Sequence, residues 1–160
     1  YQLTREGLKL TRETASELLE TIPPERIEKI ENERSFPHPD EVLTMAEKYK
    51  KPDLCNYYCA NQCPIGQEYV PEVKIKYLSQ IVLEMLASLN AMNKRKDRLI
   101  EITADGKISD DELEDFLYIQ EELERISITA ETLQLWAEKM LATGVIDEAR
   151  YEAYRSRKKT

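Results

Sequence analysis

Three cysteines, Cys55, Cys59 and Cys63, recur every four residues. Thiolates hold soft metals and react with oxidants, so this spacing is the first place to look for chemistry. On one straight helix the outer pair would stand ~12 Å apart along the axis, too far to share an ion. Cys63 precedes Pro64, however, and the residue before a proline resists helix. A helix ending near Ala60 would let Cys63 fold back beside Cys59 and Cys55. Zinc would then want a fourth ligand, for which His38, the single histidine, is the candidate, and three thiolates could also carry an iron–sulfur cluster. The spacing fits neither a Cys-x-x-Cys knuckle nor the common cluster signatures, and buried cysteine packs as a small hydrophobe. The expectation is plain packing without a cofactor, with zinc or an iron–sulfur cluster as the alternative. His38, between Pro37 and Pro39, reads as a turn or surface residue.

A second stretch imitates a calcium loop: Glu101, Thr103, Asp105, Gly106, Ile108 and Glu112 fall at the right intervals. Glu101 and Thr103 are poor choices for the first and third positions. A turn at Asp105-Gly106 and a capping box from Ser109 to Glu112 explain the same residues without an ion. No glycine-rich phosphate loop, His–carboxylate pair or Ser-His-Asp set occurs, so the chain is not expected to be an enzyme.

The elements that must carry these residues are helices. Only four glycines occur in 160 residues, and 41% hydrophobic with 34% charged residues is a globular profile. Thr11 can cap a helix through Ala15, Leu18 and Leu19, and Pro23 and Pro24 suit the start of the next, with Ile27 and Ile30 inward and Asn32 ending it. Asp40 to Tyr49 follows, with Val42, Leu43, Met45 and Ala46 as the expected buried side. Leu54 to Ala60 reads as a short helix and Pro64-Ile65-Gly66 as a turn. A long helix is expected from about Pro71, striped by Tyr77, Leu78, Ile81, Val82, Met85, Leu86 and Leu89; the polar run Asn93 to Arg98 could continue or end it. The next helix should run through Leu113, Phe116, Leu117, Leu123 and Ile126. Ser127 or Thr129 should cap another, carrying a core Trp136 and ended by Gly144. A last helix from about Asp147 to Tyr154 leads into a basic tail, Arg155 to Lys159, expected to fray.

The string Leu10 to Leu19, then Ile22, Ile27 and Ile30-Glu31-Asn32, then Pro37 to Tyr49 resembles the Cro/repressor (Xre-like) helix-turn-helix family. Its most specific parts are the Thr-x-Glu opening at Thr11, the Ile-Glu-Asn ending, and the proline-rich link into Leu43 to Ala46. Through Asn56-Tyr57-Tyr58-Cys59 it also looks like a group of uncharacterised regulators of Gram-positive anaerobes. The resemblance implies an all-α fold with a lambda-repressor-like helix-turn-helix domain at residues 1–53. A cysteine-containing connector at 54–70 and a C-terminal helical bundle at 71–160 would follow. It further implies a transcription regulator that binds double-stranded DNA as a homodimer. Thr11 and Arg12 would meet phosphate, Pro24, Glu25, Glu28 and Lys29 would face the groove, and Arg34 would reach the backbone.

The sequence departs from that pattern in ways that matter. Arg12 stands where the family usually has glutamine, and Glu33 where glycine commonly follows Glu-Asn. The loop between the second and third helices is one residue longer. Net charge is −8, and residues 1–53 carry 9 basic against 12 acidic side chains, no basic footprint. The alternative is therefore a helical adaptor whose degenerate helix-turn-helix binds protein, with or without a cysteine-based metal or redox input. Residues 109–160, with 7 basic and 13 acidic side chains, would face solvent or a protein partner. The chain starts at Tyr1, so the first turn of helix 1 is expected to be incomplete. The absence of a leader or an apolar run of ~20 residues points to the cytoplasm, away from membranes.

Overall fold

A computed structural model describes residues 1–104 and 106–157, and every regular element among them is a helix. In order these are α1 (Gln2–Gly7), α2 (Arg12–Leu19), α3 (Pro24–Glu31), α4 (Pro39–Lys48), α5 (Asp53–Asn61), α6 (Pro64–Tyr69), α7 (Leu78–Lys94), α8 (Lys96–Thr103), α9 (Leu113–Ala142) and α10 (Glu148–Arg157). None is long and apolar enough to cross a membrane. The chain divides into two compact units, residues 1–74 with 137–160, and residues 75–136.

In the first unit, short helices close over a dry core. Ala15 and Leu19 of α2, Ile22, Ile27 and Ile30 of α3 and its approach, Val42, Met45, Ala46 and Tyr49 from α4, and Leu54 of α5 form one buried cluster. Leu18 and Leu43, expected to help line it, are exposed instead, because neighbouring positions of the same helices already fill the inner face. Burial pushes the Tyr49 hydroxyl up to about 12. α1, α3 and α4 end alike. Leu10, Arg34 and Lys51 donate their N–H to carbonyls five residues back (Arg5, Lys29, Ala46), with Lys9, Glu33 and Lys50 at φ of 58°, 56° and 54°. That left-handed position favours glycine, and here it is filled by long charged side chains.

The expected boundaries at 53 and 70 are not where this unit ends. α5 supplies Leu54 to the core, with Cys55 and Tyr58 packed against it. The expected turn at Pro64 is a helix, α6, which lies so close to α5 that a Cβ on Gly66 would sit 2.0 Å from the Cys59 carbonyl oxygen. The expected helix from Pro71 does not form until Leu78. Residues 70–77 form no regular element, and Asn56 anchors their start: its amide donates to the Pro71 carbonyl (3.0 Å) and accepts from the Val73 N–H (2.9 Å). The far end of α9 also belongs to this unit, where Gly144 (φ +74°) stops it as expected.

The second unit is built from α7, α8 and α9 up to Trp136. The polar run after Asn93 resolves into a break at Arg95 and a separate α8. No helix begins at Ser127 or Thr129. α9 runs unbroken for 30 residues, and the Thr129 and Thr132 hydroxyls donate to the carbonyls of Arg125 and Ile128 within it. A threonine that bonds back to its own helix gives no stop signal. Ile81, Ile102 and Ile119 are fully buried, together with the side chain of Glu122, which pairs with Arg125. Trp136 is only half-buried, and Leu113, Leu117 and Leu123, expected inward, are about half exposed. Of the capping box expected from Ser109 to Glu112 one half forms: the Glu112 carboxylate accepts from the Ser109 N–H and hydroxyl, while the Glu112 N–H goes to the Ser109 carbonyl and not to its side chain. Asp105, the centre of the expected turn, lies outside the described residues, as do Lys158 and Lys159 of the tail.

Candidate nucleic-acid interface

The residues singled out for DNA contact surround the start of α2 and the outer side of α3. Thr11 caps α2, its hydroxyl accepting from the Thr14 N–H at 3.2 Å, so the other free amides of that turn point outward with the positive end of the helix. α3 buries Ile27 and Ile30 and turns Glu25 and Lys29 to solvent, with Pro24 and Glu28 partly exposed. Lys29 has no carboxylate within ion-pair distance among the described residues. Arg34, 68% exposed, stands 3.5 Å from Glu28, and the Asn32 amide reaches the same carboxylate. The outer face of α3 therefore combines one free ammonium, one loosely held guanidinium and two carboxylates.

Arg12 is not a free guanidinium. Its Nε donates to Glu31 at 2.9 Å, and Arg5 takes the same carboxylate with two bonds of 2.6 and 3.0 Å, while also donating to the Leu10 carbonyl at 2.6 Å. The Glu31 side chain is 2% exposed. Burial alone would raise its pKa, but the bonds from Arg5 and Arg12 outweigh that and hold it below the ordinary carboxylate range. Glu31, together with Glu6 at 3.7 Å from Arg5 and Glu13 in the first turn of α2, offsets the two guanidiniums, and Arg12 is fixed in place. This hub ties α1, α2 and α3 together. The Ile-Glu-Asn string marked the position of Glu31 but did not reveal its partners.

A second hub, invisible in the sequence, orients α3 against α4. Arg26 donates to both oxygens of Glu41 (2.7 and 2.6 Å), to the Ser35 hydroxyl and to the Phe36 carbonyl. That bond holds the Glu41 carboxyl below its usual range. Glu41 also accepts from the His38 N–H at 2.7 Å, so His38 is an exposed residue at the head of α4.

The cysteines are half-buried free thiols on α5 and at the start of α6. Cys63 is extended (φ −86°, ψ 120°) just before Pro64, and its N–H donates to the Tyr58 carbonyl. Burial, then the neighbouring Cys59, pushes the Cys55 thiol up, away from the reactive thiolate. Among the described residues no group of three or more His, Cys, Asp or Glu side chains converges to hold a metal ion. In the calcium-loop look-alike, Glu101 pairs with Arg98 and the Glu112 carboxylate accepts from the Ser109 N–H and hydroxyl. In comparisons with family models, curated proteins and solved structures, nothing matches the chain.

Proposed function

We propose that the chain is a non-enzymatic, sequence-specific DNA-binding regulator in which α2 and α3 act as a helix-turn-helix. The observation that carries this reading is α3 itself. It is a short helix with two isoleucines beneath it, an outward face of Pro24, Glu25, Glu28 and Lys29, and two arginine hubs fixing its orientation. A rod so held can lie along a major groove, Lys29 reading guanine and one glutamate accepting from cytosine N4. The capped start of α2, with Arg12, would meet phosphate.

The regulator acts as a homodimer in this reading, with the second copy covering Leu78, Val82, Leu86 and Leu89 of α7. These stand at helical spacing and are 40–50% exposed. α7 carries only Glu84 and Lys94 as charged residues, so two copies of a chain of net charge −8 can meet there without repulsion. Sedimentation should show a dimer that Leu86→Glu dissociates. A monomer at every concentration would refute this part.

A second reading, a protein-binding adaptor, is favoured by Glu25 and Glu28 on the same outward face. Selection of genomic fragments by the full chain separates the two. DNA binding predicts one enriched sequence, with affinity falling steeply in salt and Lys29→Ala relaxing the preference at one base pair. If no sequence is enriched even at low salt, the adaptor reading stands.

A further inference from the structure

Ser88 is at odds with its surroundings. It sits within α7 with 8% of its surface exposed, yet its hydroxyl has no hydrogen-bond partner among the described residues. A serine or threonine inside a helix can donate to a carbonyl one turn back, as Thr129 and Thr132 do in α9. A hydroxyl withdrawn from water and left unpaired is a standing cost. Ser88 lines a cleft of about 310 Å³ inside the second unit, walled by Glu84, Ala87 and Ser88 of α7 and by Arg125, Ile128 and Thr129 of α9. That volume is at the lower end of the range for small-molecule sites. At helical spacing, Glu84, Ala87 and Ser88 fall on a different side of α7 from the stripe of Leu78, Val82, Leu86 and Leu89.

The charges around the cleft are already matched within the chain. Lys76 donates to both Glu84 oxygens, at 2.9 and 2.7 Å, and the Gln80 amide adds a bond of 3.0 Å. Arg125 pairs with Glu122. A charged ligand would have to break one of these pairs or go without a counter-charge. What the cleft leaves unmet is uncharged: the Ser88 hydroxyl, and apolar surface on Ala87 and Ile128, neither of which is buried. We propose that the cleft between α7 and α9 binds a small uncharged molecule with a hydrocarbon body and one hydroxyl group, a phenol or a short alcohol. The ligand hydroxyl accepts from Ser88 and donates to the Thr129 oxygen, whose own proton goes to the Arg125 carbonyl at 2.7 Å. The hydrocarbon body covers Ala87 and Ile128. This binding is independent of whether α3 reads DNA.

The test titrates the full, isotope-labelled chain with p-cresol and n-hexanol and follows the backbone amide shifts. Toluene serves as the same body without the hydroxyl, and p-toluate as the charged counterpart. Saturable shifts are expected at residues 84–88 and 125–129, with p-cresol binding about five-fold or more tighter than toluene, the worth of one hydrogen bond. Ser88→Ala removes an unpaired hydroxyl, so its thermal midpoint should hold or rise while its affinity for p-cresol falls to that for toluene. Ala87→Leu, at an exposed position, fills the cleft and should weaken both hydroxyl probes without lowering the midpoint. The site is overturned by any of four results: no saturable shift with either hydroxyl probe, shifts that map to the Leu78 to Leu89 stripe instead, equal affinity for p-cresol and toluene, or tightest binding of p-toluate. None of these bears on sequence reading by α3, which the selection of genomic fragments decides separately.

Discussion

The two compact units use similar helices and differ in what those helices hide. In residues 1–74, four short helices, α2 to α5, converge on one cluster, and the arginine–glutamate hubs sit at the seams with carboxylates withdrawn from water. In residues 75–136 α7 and α9 are longer and leucine-rich, yet Leu83, Leu86, Leu113, Leu117 and Leu123 remain about half exposed or more, and the Arg95–Asp115–Arg98 pairs are open to solvent. Length of helix does not measure depth of core. A short helix with two isoleucines aimed at a common point is held more firmly than a long one whose stripe faces water.

That contrast can be broken most sharply at its charges. Glu31→Ala strands the buried Arg5 guanidinium and the partly exposed Arg12 and should cost about 3–5 kcal/mol in urea unfolding, whereas Asp115→Ala should leave the midpoint nearly unmoved. Equal effects would erase the distinction between the units. The hub also carries a pH signature. Glu31 has a lower pKa folded than unfolded, so the unfolded chain takes up protons first on acidification. Its contribution is complete at neutral pH and is lost as pH falls below the ordinary carboxylate range, and the Glu31→Ala variant should show a flatter acid limb.

Next in size are the apolar side chains. Ile27→Ala should cost about 2–5 kcal/mol, while Leu86→Ala should cost under about 0.5 kcal/mol in the monomer, since water already reaches half of that side chain. Any larger loss at Leu86 should vanish on dilution, which would assign it to a partner copy. Gly66→Ala should destabilise by about 1–3 kcal/mol, because the obstacle is the Cys59 backbone, which cannot swing aside. The smallest expected effect has the opposite sign. Glu33→Gly relieves a left-handed glutamate and should stabilise by up to about 1 kcal/mol while removing a negative charge beside α3.

Much of the first unit was legible because capping and punctuation residues speak locally. Thr11, the Pro23-Pro24 pair, Asn32 and the Pro37-His38-Pro39 run each fixed a helix end within a residue or so. The all-helical class followed from the same signals. What escaped was whatever depends on distant partners. Nothing near Arg12 announces that Glu31 will hold it, and nothing near Arg26 announces Glu41. Gly66 looked like a turn because close backbone approach and a turn both call for glycine. In the second unit Ser127 and Thr129 looked like caps because a hydroxyl can serve a helix end or sit inside one. The apolar period there predicted helix correctly, but it could not say which leucines would be covered.

Asn56 holds Pro71 and Val73 in place by presenting a donor and an acceptor at once, as a neighbouring strand would. Hydrolysis of that one amide to a carboxylate, the ordinary chemical ageing of asparagine, would set oxygen against oxygen at Pro71 while sparing the bond to Val73. The strap would then come loose from its proline end, so an aged sample should be cut by protease in this segment well before any helix is attacked.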